Sequence, residues 1–214
     1  MPATGIQRGV CVEAAGARLA GEIHLPPDPR GFVLFASSRE LMRLDRRQLG
    51  LSAALNERGM GTLLFDLVET TDDAEVERNL EILTERLLEA AEWGSEQWGV
   101  EGLPMGFVGS GLGSAAALVV AAALGSEVWA ISIHGGRPDL ADHGLAKVQA
   151  PTLLLADPND PVESQAADAA AARLCAPHRI RRRRTEAAEL GTWQATPAIC
   201  HWMEWYLEQH ELLS

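Results

Sequence analysis

The residue types able to do chemistry gather in one short stretch, Gly109-Ser110-Gly111-Leu112-Gly113-Ser114, between the apolar run PMGFVG (104–109) and an alanine-rich segment. An apolar run that breaks at glycines into a helical segment predicts a tight strand-to-helix turn, the place where ligands meet an open α/β sheet. Ser110 and Ser114 offer hydroxyls there, which become nucleophiles only when a neighbouring base takes the proton. Each also has a plainer role, Ser110 in packing and Ser114 bonding within the first helical turn. The N–H groups of Gly109–Gly113 can cradle an anion at a helix N-terminus. The same residues read as G-x-G-x-x-S, an incomplete dinucleotide turn: the third glycine is missing, and the next strand is followed by His134 instead of an acid. Neither metal-ligand spacing nor a disulfide framework appears, because the six histidines are scattered and the three cysteines (Cys11, Cys175, Cys200) lie far apart. No metal and no cofactor is expected.

The elements that must hold this turn alternate along the chain. GFVLFA (31–36), GTLLFDL (61–67), PMGFVG (104–109), VWAISI (128–133) and APTLLLAD (150–157) are nearly continuous apolar runs, as buried parallel strands are. Helical patterns lie between them at Arg46–Arg58, Asp72–Trp98, Ser114–Leu124 and Val162–Leu174. A last helix runs from about Ala195 to Glu211, with Trp202, Trp205, Tyr206 and Leu212 on one apolar face. The first 25 residues read as an antiparallel hairpin turning at Ala15–Ala17. Such alternation predicts an α/β fold, a single domain over residues 1–214 with a mostly parallel sheet flanked by helices.

Composition limits the partners. The 214 residues are 47% hydrophobic and carry a net charge of −12, which suits one well-filled core and opposes binding to nucleic acid or an anionic membrane. The longest apolar run, Ala115 to Leu124, is too short to span a bilayer, and the first residues lack the regions of a signal peptide; a cytoplasmic protein is expected. The basic exception is Arg179–Arg184. That run reads as an edge strand protected by charge, or as a stripe that docks an acidic partner, either a second copy of this chain or another protein.

The stretches GFVLFA, LNERGMGTLLFDL (55–67), MGFVGSGLGSAAALVVAAA (105–123), ISIHGGRPDLA (131–141) and VQAPTLLLADPNDPV (148–162) resemble the small dienelactone-hydrolase-related branch of the α/β-hydrolase superfamily. The resemblance covers nearly the whole chain. It implies a serine nucleophile at the elbow, an aspartate after the APTLL strand and a histidine after the following strand. Those positions fall here on Gly111, Asp160 and Glu189, so the implied triad keeps only its acid. The resemblance also implies small residues after the LFA strand, where backbone N–H groups hold an oxyanion; this chain has Ser37-Ser38-Arg39-Glu40-Leu41-Met42-Arg43.

Acyl transfer needs a hydroxyl to attack, an imidazole to accept its proton and a carboxylate to orient the imidazole. Gly111 supplies no hydroxyl, and Glu189 offers no tautomer for Asp160 to hold. The expectation is therefore a non-catalytic protein of this fold that binds a small molecule or a protein, with Ser37, Ser38, Arg39, Gly111 and Leu112 as ligand contacts. Two alternatives stand beside it. One is an ester or lactone hydrolase in which Asp160 and Glu189 activate a water; the other is an anion- or nucleotide-binding module at Gly109–Gly113. Asp160-Pro161 is also a helix start signal, which accounts for that acid without catalysis. Trp193 and Trp202 are expected in packing or around a pocket above the elbow.

Overall fold

The computed structural model describes residues 5–38, 44–69, 72, 75–97, 99–182 and 195–213. Arg39, Glu189, Trp193 and the Arg183–Arg184 end of the basic run lie outside these described residues.

Eight strands form one sheet in the order β1-β2-β4-β3-β5-β6-β7-β8. The strands are β1 (Ile6–Ala14), β2 (Ala17–Leu25), β3 (Gly31–Ser37), β4 (Met60–Phe65), β5 (Met105–Ser110), β6 (Val128–His134), β7 (Thr152–Ala156) and β8 (His178–Arg182). The hairpin β1–β2 and its junction with β4 are antiparallel, and every other pairing is parallel. β8 is an edge strand paired to β7, and Arg182 there reaches Asp168 at 2.5 Å.

The burial patterns explain this arrangement. β3 and β4 are buried at every residue, as strands covered by helices on both faces must be. β2 alternates between buried and less buried residues, as expected of a strand with one wet face. On one face lie α2 (Leu80–Ser95), α3 (Gly113–Leu124) and α4 (Pro161–Ala171), packed over Leu34, Leu63, Phe107, Ile131 and Leu154. On the other, α1 (Arg46–Asn56) and α5 (Thr196–Leu213) cover Val33, Phe35, Leu64, Val108 and Leu153.

Two elements depart from the sequence reading. The segment from Asp72 to Trp98 is not one helix: a short 3₁₀ turn at Val76–Arg78 precedes α2, which starts at Leu80. Asn79 ends the extended stretch by accepting from the N–H groups of Glu81 and Ile82. Asp72 is used elsewhere, in a buried two-bonded pair with Arg86, which also donates to the carbonyl of Leu67. That pair holds Asp72 below the usual carboxylate range, chiefly through the Arg86 hydrogen bond.

The second departure is the phase of α5. Its buried face is Ile199, Met203 and Leu207 with Ala198 and Cys200, whereas Trp205 and Leu212 are 51% and 79% exposed. The i, i+4 row of slimmer side chains fits against the sheet, and Trp129 of β6 fills the gap, donating its indole N–H to the Met203 carbonyl. Trp202 donates to the Pro151 carbonyl and packs against Tyr206 with the rings tilted by 57° and their centroids 4.7 Å apart. Pro151 precedes β7, so Trp202 sits at the opposite end of the sheet from the elbow.

Candidate functional site

β5 ends at Ser110 and α3 begins at Gly113, leaving a turn of two residues. Gly111 takes φ +58°, a left-handed conformation that strains any side-chain-bearing residue. The sharp elbow geometry is therefore kept although its central position has no side chain. The glycines on either side let the start of α3 press onto the sheet: a Cβ at Gly109 would lie 2.9 Å from both Ile133 Cδ1 and Ser114 Cα.

The polar groups around Gly111 are bound to one another. The N–H of Leu112 donates to Ser38 Oγ at 3.1 Å. Ser114, fully buried, donates its hydroxyl to the Gly111 carbonyl at 2.7 Å and accepts from the Arg137 N–H at 3.1 Å. The Arg137 N–H also reaches the Gly111 carbonyl, at 3.2 Å. Gly136, with φ +79°, lies so close that a Cβ there would collide with the carbonyl and nitrogen of Gly111. The loop after β6 is thus wedged against the elbow, a contact between residues more than 20 positions apart that spacing alone does not reveal.

Ser110 is half-buried and is the register partner of Ser37 on β3 and of His134 on β6. Its hydroxyl makes no hydrogen bond among the described residues, and no base is bonded to it. His134 is pushed down to about 4, first by burial and then by the charge of Arg47, so it is neutral at neutral pH. Cys200 is buried and its thiol is pushed up to about 11, which leaves no thiolate to act as a nucleophile.

Asp160 is the N-cap of α4. Its Oδ1 accepts from the N–H groups of Val162 and Glu163 at 2.9 and 3.1 Å, with Pro161 at the first helical position. Glu163, three residues on, reaches out of the helix to accept from Gly136 N–H at 3.3 Å and from Asp157 N–H at 3.4 Å. The D-x-x-E spacing was available in the sequence as a capping-box signal, but the partner of Glu163 was not. Arg39 and Glu189, the remaining site expectations, are not among the described residues. Among those described, no group of three or more His, Cys, Asp or Glu is placed to hold a metal ion, and no helix is long and apolar enough to cross a membrane.

A β5–elbow–α3 unit in a mostly parallel sheet invites comparison with solved structures. The chain superposes on a dienelactone hydrolase from Anabaena variabilis with a TM-score of 0.82, covering 97% of this chain and 99% of that one at 27% identity. It has the α/β-hydrolase fold. An esterase domain from a Rhodothermus marinus protein superposes with a TM-score of 0.70, over 94% of this chain and 100% of that domain at 20% identity. In sequence, the chain is 38% identical over 159 residues to a candidate phosphoribosyl transferase of Mycobacterium tuberculosis, found in two strains. That match takes in 72% of this chain but 35% of the relative, so the chain spans about a third of the length of the curated relatives it matches. No family model matches the sequence.

Proposed function

We propose that this α/β-hydrolase-fold chain works by binding, not by acyl transfer. The observation that carries the reading is the occupied elbow: Gly111 brings no nucleophile, and the Leu112 N–H is bonded to Ser38 Oγ. In this fold the amide after the nucleophile is an oxyanion donor. Here it is already satisfied by a side chain of the same chain. An oxyanion would have to displace the Ser38 hydroxyl before it gained that bond, and preorganised donors are usually the largest catalytic term.

The other chemistries meet similar obstacles. A hydrolase built on Asp160 and Glu189 requires Asp160 to act on water while its Oδ1 holds two helix N–H groups. An anion at Gly109–Gly113 competes with Ser38 for the Leu112 N–H. Both points support the binding reading.

The partner class is suggested by the curated relatives, whose description concerns phosphoribosyl transfer while the matched third resembles this chain. Our reading is that the transferase chemistry belongs to the remainder of those relatives, and that this chain is a companion module to such an enzyme. Two measurements test the proposal. A panel of short-chain aryl esters and lactones is expected to show no turnover above buffer, and calorimetric titration against a phosphoribosyl transferase of the same cell is expected to show binding. Ester turnover overturns the first part; absence of any heat of binding overturns the second.

A further inference from the structure

α5 buries Ile199, Met203 and Leu207 and turns a second stripe to solvent, in which Pro197, His201, Trp205, Glu208, Gln209 and Leu212 are all exposed. Of the large hydrophobic side chains exposed among the described residues, Leu44, Leu140 and Val162 stand singly on separate segments, which is ordinary. Trp205 and Leu212 instead lie two turns apart on one face of one helix. The half-buried Trp202 and Tyr206 widen that patch toward β7. Polar residues at 205 and 212 would leave the buried row of α5 untouched, so the sheet does not call for either side chain. The acids beside the stripe are already neutralised: Glu204 is held by Arg58 at 3.5 Å and Glu211 by Arg30 at 2.7 Å. Glu208, the one acid on the stripe itself, makes no hydrogen bond or ion pair among the described residues, and neither does His201.

We propose that this face pairs with the same face of a second copy of the chain, the two α5 helices running antiparallel about a two-fold axis at Trp205. The stripe is complementary to itself, as a two-fold interface requires. The axis sets Trp205 on Trp205, His201 against Glu208 and Gln209 of the second copy, and Pro197 against its Leu212. Aromatic then meets aromatic, imidazole meets carboxylate, and apolar meets apolar. A parallel arrangement would set Glu208 on Glu208, and would align the helix dipoles instead of opposing them. Charge points the same way. A net charge of −12 repels another copy over most of the surface, and on this face the paired Glu204 and Glu211 weaken that repulsion. The stripe carries neither lysine nor arginine for a different acidic partner to neutralise. One helix pair of this length is at the low end of interface sizes, so the pairing is weak, with a Kd in the range of about 10–100 µM. Trp202, bonded to Pro151, places the patch at the end of the sheet opposite the elbow, so pairing leaves the elbow of each copy open.

Sedimentation equilibrium of the full chain from about 10 to 500 µM tests this. The mass is expected to rise with concentration from 23.0 kDa toward twice that value, with no larger species. Trp205→Ser is expected to weaken pairing by about thirtyfold or more, because a tryptophan at the centre of an interface is a typical anchor. Serine has a similar helix propensity and the position is exposed, so the dilute variant should melt with the parent. His201→Glu sets two acids against each other across the axis and should weaken association, and adding Glu208→Lys to the same chain should restore it. Positions 201 and 208 are about 10 Å apart along one helix, too far to pair within a chain, so recovery reads the contact between copies. The proposal is overturned by a constant mass of one chain over the whole range, by association that Trp205→Ser leaves unchanged, or by a double variant no better than His201→Glu alone. A chain that stays monomeric, yet loses its heat of binding to the transferase on Trp205→Ser, assigns the face to that partner and likewise overturns it.

Discussion

The elbow and the start of α1 lie at the same end of the sheet, and they treat their polar groups in opposite ways. At the elbow, Gly111 O, Leu112 N–H and Ser114 Oγ all have partners, and Ser38 and Arg137 come from distant segments to supply them. Where Gln48 of α1 meets the ends of β3, β4 and β5, its Oε1 is buried with no hydrogen-bond partner among the described residues. At the first, each hydrogen bond made within the chain leaves one group fewer for a bound molecule. At the second, a buried acceptor is left unbonded, at a cost of about 1–3 kcal/mol.

The contrast can be broken most sharply at Gly136. A methyl group there meets the Gly111 carbonyl at a positive φ, so Gly136→Ala should destabilise by about 4 kcal/mol or more, seen as a large drop in the denaturant midpoint. A near-neutral result would mean the loop after β6 does not brace the elbow. His134 gives the next effect. Folded, it takes a proton only near pH 4, whereas the unfolded imidazole takes one near 6.5. The unfolded chain therefore binds more protons between those values, and stability is full above about pH 6.5 and falls as the pH drops toward 4, by up to about 3 kcal/mol. Unfolding at pH 7.5 and 4.5 should show a smaller acid loss in His134→Asn than in the parent.

Gly111→Ser probes the elbow from the other side. It places a Cβ 2.9 Å from Ser38 Oγ at φ +58°, and should destabilise by about 1–3 kcal/mol while giving no ester turnover, because no histidine is bonded to the new hydroxyl. Measurable turnover in this single variant would show that a general base is already in place. The smallest effect is expected at Ser38→Ala, which releases the Leu112 N–H and should cost about 1 kcal/mol in chemical denaturation. It should also raise affinity for small oxyanions such as acetate at the elbow, since the amide is then free to donate.

How far these features were readable from the sequence varies with the range of the interaction. The strands, the hairpin, the order of elements and the elbow follow from local apolar runs and glycines, and the structure has all of them. The start of α2 was misread by eight residues because a single cap, Asn79, outweighs the helical pattern from Asp72 onward. The face of α5 was misphased because tryptophans look like core residues in a list, while packing selected the slimmer row Ile199–Met203–Leu207. The bonds that define the elbow join residues 74 and 23 positions apart, Leu112 to Ser38 and Arg137 to Ser114, and no spacing rule reaches that far. Gln48 was missed for the same reason: a polar residue near the start of a helix gives no sign in sequence that it faces inward.

The account's central claim is that no side chain at the elbow performs acyl transfer. Intact-mass analysis after treatment with a fluorophosphonate serine probe tests this most directly, because the adduct forms only on an activated hydroxyl. The account predicts an unmodified mass. A stoichiometric adduct mapped to Ser110 or Ser114 would contradict it and return the chain to the working hydrolases.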